Sequence, residues 1–202
     1  MDAQDMHRCT AFEGSRRIAS GDLLEVARKA KEVIDRGERA SVLIFDDSSS
    51  ELVEVDFRGT LEEVMKRLDK PAVRMEQASA PRGPGRPRLG VVSREVTLLP
   101  RHWDWLNSQP GGASVALRKL VEEARRASSG RDRVRRAQEA AYRFMSAMAG
   151  DLPGFEEATR ALFAGDPDRF HELTDPWPVD VRDHARGISG AAFGNTPEGN
   201  AG

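Results

Sequence analysis

The chain has little cysteine, few aromatics and no long apolar run. One cysteine, Cys9, stands in 202 residues. No disulfide can form within the chain, and a reducing, cytoplasmic setting is the expectation. Aromatic residues make up 6% and hydrophobic residues 39%, which is low for one compact globule, so part of the chain reads as linker or tail. No apolar stretch approaches the roughly 20 residues a membrane helix needs. The start, Met1-Asp2-Ala3-Gln4-Asp5, lacks the basic residues and apolar core of a signal peptide. The four histidines, His7, His102, His171 and His184, include no pair at a metal-ligand spacing. His102 and Asp104 sit two apart, on different faces of a helix. Gly83-Pro84-Gly85 lacks the strand-to-helix setting of a phosphate loop. Cys9, close to the chain end, is a poor nucleophile candidate. Asp46, Asp47 and Asp56 read first as turn residues and only second as a cation site. No catalytic residue, metal, cofactor or small-molecule substrate is assigned, and a non-enzyme is expected.

What is present is charge, sorted along the chain. Residues 1–69 carry 11 Lys/Arg against 16 Asp/Glu, a net of −5. Residues 70–136 carry 15 against 6, a net of +9. Residues 137–202 carry 5 against 11, a net of −6. The overall −2 hides a basic centre between acidic flanks. A polyanion such as DNA is the natural partner for that centre.

The pattern implies an α+β fold. Residues 8–69 read as a small N-terminal α+β domain. Thr10-Ala11-Phe12 and Arg17-Ile18-Ala19 are short strands around Glu13-Gly14-Ser15. Asp22 and Glu25, then Thr60 and Glu63, have the spacing of helix-capping boxes. Leu23, Val26, Ala27, Ala30, Val33 and Ile34 recur at helical spacing up to Gly37. Ser41–Phe45 is a buried strand, and Leu52–Phe57 alternates as its hairpin partner with one wet face. Residues 70–90 form a basic, Pro/Gly-rich linker. Residues 91–126 read as strand, helix and helix, and Ala127-Ser128-Ser129-Gly130 as a second break. Residues 131–188 form a C-terminal helical region. Within it Asp166-Pro167 and Asp175-Pro176 each place an N-cap residue before a first-turn proline. Residues 189–202, rich in Gly and Asn, read as a disordered tail.

The segment Arg94-Glu95-Val96-Thr97-Leu98-Leu99-Pro100, the helix from Arg101, the Gln109-Pro110-Gly111-Gly112 turn and the helix over Ala113–Arg126 resemble the ribbon-helix-helix family of bacterial DNA-binding proteins. That resemblance implies a homodimer whose paired strands enter the major groove. Leu106, Leu117, Leu120 and Val121 would form its core, with Trp103 beside them. The second helix would turn its N-terminus, with Gly112 and Ser114, to a phosphate. The strand's side chains are unusual for a base reader on either face: Glu95, Thr97 and Leu99, or Arg94, Val96 and Leu98. Arg82-Gly83-Pro84-Gly85-Arg86-Pro87-Arg88 resembles an AT-hook, with Pro84 where that motif's first arginine stands.

A second basic cluster runs from Arg118 and Lys119 through Arg125, Arg126, Arg131, Arg133, Arg135 and Arg136. It has three readings: a solvated face with Glu122, Glu123 and Asp132 as ion-pair partners, phosphate contacts, or docking onto acidic flanks or an acidic partner. Trp103, Trp105 and Trp177 are candidates for base stacking, with Trp105 offset from the core side. The stretches 85–90, 95–106 and 141–155 resemble an uncharacterised bacterial family, a domain of unknown function, over most of residues 8–186. The expectation is a non-catalytic DNA-binding protein, a transcriptional regulator, using Arg86, Arg88, Arg94, Arg101, Gly112, Ser114, Arg118 and Lys119. The alternative is an interaction or scaffold module.

Overall fold

The structure, a computed structural model, describes residues 8–37, 41–69, 92 and 94–194. The fold class is α+β, as the sequence pattern implies. The chain divides into two compact units. The first joins Met1–Ala72 to Arg131–Gly202, and the second is Val73–Gly130. The first unit contains β1 (Arg8–Glu13), β2 (Arg16–Asp22), α1 (Leu23–Asp35), β3 (Val42–Asp46) and α2 (Leu61–Leu68). The second contains α3 (Pro100–Ser108) and the start of α4 (Gly112–Met148). The first unit resumes within α4 and adds α5 (Phe155–Ala164), α6 (Pro167–Thr174), α7 (Val179–Ser189) and a 3-10 turn over Gly190–Phe193. No helix among the described residues is long and apolar enough to cross a membrane.

The sheet of the first unit has the order β2-β1-β3, antiparallel throughout. Strand side chains alternate between faces, and here the alternation feeds two cores. Cys9, Ala11 and Ile44 face Val26 and Ala30 of α1. Phe12 and Phe45 face the other way, onto Ala141, Phe144 and Met145 of α4 and Val181 of α7. The central strand is covered on both sides, so Cys9 to Glu13 are all buried. Phe144 is fully buried, with its ring 5.4 Å from Phe12, 5.1 Å from Phe45 and 4.5 Å from His184. Two ends of the chain therefore share one core.

Local signals fix several boundaries. Asp22 accepts from the Glu25 amide at 2.9 Å and starts α1. Thr60 and Glu63 form a reciprocal capping box at α2. Asp166 accepts from the Arg169 amide at 3.0 Å, with Pro167 in the first turn of α6. Gly165 closes α5 at φ 72°, a left-handed conformation that a Cβ would strain. Arg186 of α7 ties down the far end of α6 by donating to the His171 carbonyl at 2.6 Å and to Thr174 Oγ1 at 3.0 Å.

Four expectations are corrected. The break at 127–130 is absent, because α4 runs through it as one 37-residue helix. Serine and glycine cost helix stability, but Arg125 and Arg126 pair with Glu122 before the site, and Arg135 pairs with Asp132 after it. Leu52–Phe57 keeps its wet face yet makes only a bridge, Leu52 to Phe45, rather than a strand. Val53, Val55 and Phe57 pack on the α1 side of the sheet, while Arg67 takes up the Asp56 carbonyl that a ladder would have used, and the Arg58 carbonyl beyond it. Asp175 ends α6 instead of starting a helix; α7 begins three residues after Pro176, at Val179. Trp177 lies between, buried, with its indole N–H donating to the Pro153 carbonyl at 3.0 Å. In the tail, Gly190–Phe193 is ordered into the 3-10 turn, with Ala192 buried and Phe193 against Phe170. Residues 195–202 lie outside the described residues, as does the linker at 70–90.

Two outcomes are expected in urea unfolding. Phe144→Ala lowers stability by about 3–5 kcal/mol, since a large ring leaves a filled core. Gly130→Ala raises it by about 0.5–1 kcal/mol, because a Cβ there meets nothing within 4 Å and glycine is the weakest ordinary helix former.

Candidate nucleic-acid interface

The second unit starts its helices with proline and glycine. Leu99 precedes Pro100 and is held extended, at φ −66° and ψ 148°. Pro100 then opens α3, where its missing N–H costs nothing. The helix stops at Gln109, extended at ψ 148° before Pro110. Ser108 Oγ and Gln109 Nε2 both donate to the Trp105 carbonyl, at 2.7 and 3.2 Å, and satisfy that end. Gly111 and Gly112 take φ of 86° and 74°, and a Cβ on Gly111 would also meet Val115 at 3.1 Å. The chain can turn into α4 here only because both positions lack side chains.

The residues expected to meet DNA separate into groups. Arg86 and Arg88 lie outside the described residues. Arg94 is exposed in the segment before α3, and Arg101 is exposed on that helix's first turn. Gly112 and Ser114 stand at the start of α4, but the Gly112 amide already donates to the Gln109 carbonyl at 2.9 Å. That amide is committed to the turn. Arg118 and Lys119 come together with Glu122, Glu123 and Arg126 around a shallow depression on α4. Glu122 holds Arg125 at 2.9 Å and Arg126 at 3.1 Å. The Arg125 hydrogen bond keeps its carboxyl below the usual range. Among the described residues, Arg94, Arg101, Arg118 and Lys119 pair with no carboxylate.

Residues 94–99 join no sheet among the described residues. Trp103 is half-buried and Leu106 buried, while Trp105 is 51% exposed, as the spacing implies. Of the other expected dimer-core residues, Leu117 is half-buried, Leu120 is 43% exposed and Val121 63%. Trp177 is withdrawn from base stacking by its burial in the other unit.

The sequence model of a family described as uncharacterized proteins conserved in bacteria, DUF2239, matches residues 8–189. The chain belongs to this family. The DUF2239 match spans both compact units, and the stretches 95–106 and 141–155 fall one in each. Comparison with curated proteins and with solved structures finds no match.

In the first unit of this DUF2239 protein, the titratable candidates are committed to structure. Asp46 accepts from the amides and hydroxyls of Ser48 and Ser49 at 2.6–3.1 Å. Partial burial raises its pKa, these bonds outweigh that effect, and the carboxyl ends below its ordinary range. Asp56 is held low by its hydrogen bonds from Arg58. Burial, and then Asp46, push the Cys9 thiol up to about 11. At neutral pH it stays protonated and a weak nucleophile. No cluster of three metal-ligating side chains occurs among the described residues.

His184 was not singled out by sequence reasoning. It packs on Phe12 and Phe144, and no group among the described residues hydrogen-bonds its buried Nε2. Burial lowers its pKa below 6.5; Asp47 opposes that shift and Arg17 adds to it. The unfolded chain therefore binds the proton more tightly. The His184 contribution is complete above about pH 6.5 and is lost as pH falls through the folded value. Wild-type stability is expected to decline between about pH 7 and 5, with a shallower decline in His184→Gln. Urea midpoints across that range check it, and equal slopes would refute it.

Proposed function

We propose that this protein binds DNA without catalysis, as a bacterial transcriptional regulator, through its central unit. One observation carries the reading: the structural division follows the charge division. Residues 73–130 hold 10 Lys/Arg against 5 Asp/Glu, a net of +5. The remainder holds 21 against 28, a net of −7. A compact unit of net positive charge concentrates positive potential where a polyanion can use it. Arg94, Arg101, Arg118 and Lys119 are the phosphate contacts, joined by Arg86 and Arg88. Exposed Leu120 and Val121, beside half-buried Leu117, serve as a homodimer interface in the ribbon-helix-helix manner. The residues on 94–99 favour backbone over base contacts, since neither face of that segment offers a good set of base-reading side chains.

A second reading, an interaction module, draws on exposed Trp105, Leu120 and Val121, whose apolar surface suits a protein partner.

The test is fluorescence anisotropy on a random duplex, titrated with salt. The expected log K falls linearly with log salt, by about 0.9 for each phosphate contacted. Arg118→Ala with Lys119→Ala weakens binding and lowers that slope by roughly 2. Absence of binding at low salt, or an unchanged slope in the double variant, sinks the DNA reading and leaves the interaction module.

A further inference from the structure

A cleft of about 500 Å³ lies within the first unit, between the loop after β3 and the C-terminal half of α4. Arg133, Arg136 and Arg143 line it. They are spaced i, i+3 and i+10, so they share one face over about 15 Å of helix. Ala137 and Ala140 lie between them and leave room above the backbone. The volume suits a small-molecule ligand.

Three arginines and three carboxylates line this cleft, so it is balanced within an acidic unit. Its unit carries a net of −7, yet none of the three arginines forms an ion pair among the described residues. Arg143 donates to the Ser49 carbonyl and Arg136 Nε to the Asp132 carbonyl at 3.2 Å. Both acceptors are neutral, and Arg133 has no partner among the described residues. The opposite wall is fixed. Asp46 holds Ser48 and Ser49 through both amides and both hydroxyls, and the Ser50 amide donates back to the Asp46 carbonyl at 2.8 Å. Three guanidinium groups facing a rigid wall offer a fork of donors to one anionic group. Planar guanidinium donors match phosphate oxygens in pairs. Asp47, Glu51 and Glu139 also line the cleft, and Asp47 already accepts from the Thr10 hydroxyl at 2.7 Å. They would repel a bare anion and accept from hydroxyl groups on the same ligand.

We propose that this cleft binds a small phosphomonoester that also carries hydroxyl groups, a sugar phosphate or nucleotide. Its phosphate meets Arg133, Arg136 and Arg143, and its hydroxyls meet Glu51 and Glu139. The site is independent of the DNA-binding reading, since none of its residues lies in the central unit.

The test is thermal unfolding of the full chain with ribose 5-phosphate, against ribose and against sodium chloride of equal ionic strength. At about a hundredfold over Kd, ribose 5-phosphate should raise Tm by roughly 5–10 °C, saturably, and ribose should not. Arg133→Gln with Arg136→Gln should lose the response. Arg133→Gln alone, which breaks no hydrogen bond or ion pair among the described residues, repeats the test if the double variant melts early. Arg118→Ala with Lys119→Ala should keep the response whatever its effect on DNA. No saturable rise above the salt control overturns the proposal, and so does an undiminished rise in the arginine variants. Displacement of the sugar phosphate by short duplex DNA would assign the arginines to a nucleic-acid backbone and overturn it as well.

Discussion

The fold depends on the contact of Phe144 with Phe12 and Phe45. One ring from the fourth helix closes the open face of a three-stranded sheet built from the other end of the chain. A sheet this small cannot bury enough apolar surface alone. α1 covers one face, and the second face needs the helices that follow residue 131. Each aromatic pair adds roughly 0.5–1.5 kcal/mol beyond its burial. His184 joins the same cluster from α7, so one titratable ring is packed against the main core. The acidic sensitivity follows from partly burying a titratable ring, which disfavours its charged form.

Closing the core this way makes residues 73–130 an insertion between two halves of one unit. An insertion that builds none of the main core is free in composition. It can keep exposed apolar side chains such as Trp105 and Val121, and cations with no internal partner. The acidic unit around it uses many of its charges locally, as in Arg169 with Glu172 and Arg160 with Glu156. Exposed pairs of that kind contribute little stability each. The α4 cleft differs in that its arginines form no ion pair among the described residues and meet only carbonyls.

Legibility in the sequence followed the range of the interaction. Caps and stops depend on neighbours three or four residues away, and Asp22, Thr60, Asp166 and Gly37 were all readable. The β1–β2 hairpin and the α1 stripe were readable for the same reason. Errors came where a distant group outweighed a local preference. The Asp175-Pro176 signal yielded to Trp177, whose burial and bond to Pro153 delay α7. The alternation of Leu52–Phe57 reported its burial correctly, but backbone pairing depends on which partner groups are within reach, and Arg67 took the Asp56 carbonyl. The cleft was invisible because its two walls are about 90 residues apart. Only the spacing of Arg133, Arg136, Ala137, Ala140 and Arg143 hinted at one face.

By itself the sequence determined the fold class, the helix caps at Asp22, Thr60 and Asp166, the absence of a disulfide within the chain, and the alternating charge of the three segments. These rest on local geometry and composition, which hold in any fold the chain adopts. Tertiary structure alone decided that the two acidic segments form one unit, that His184 is desolvated, and that three arginines meet a serine loop. Each of these requires two distant stretches to be brought within a few ångströms. That choice is made by the burial of Phe12, Phe45 and Phe144 together, a long-range contact that no local pattern encodes.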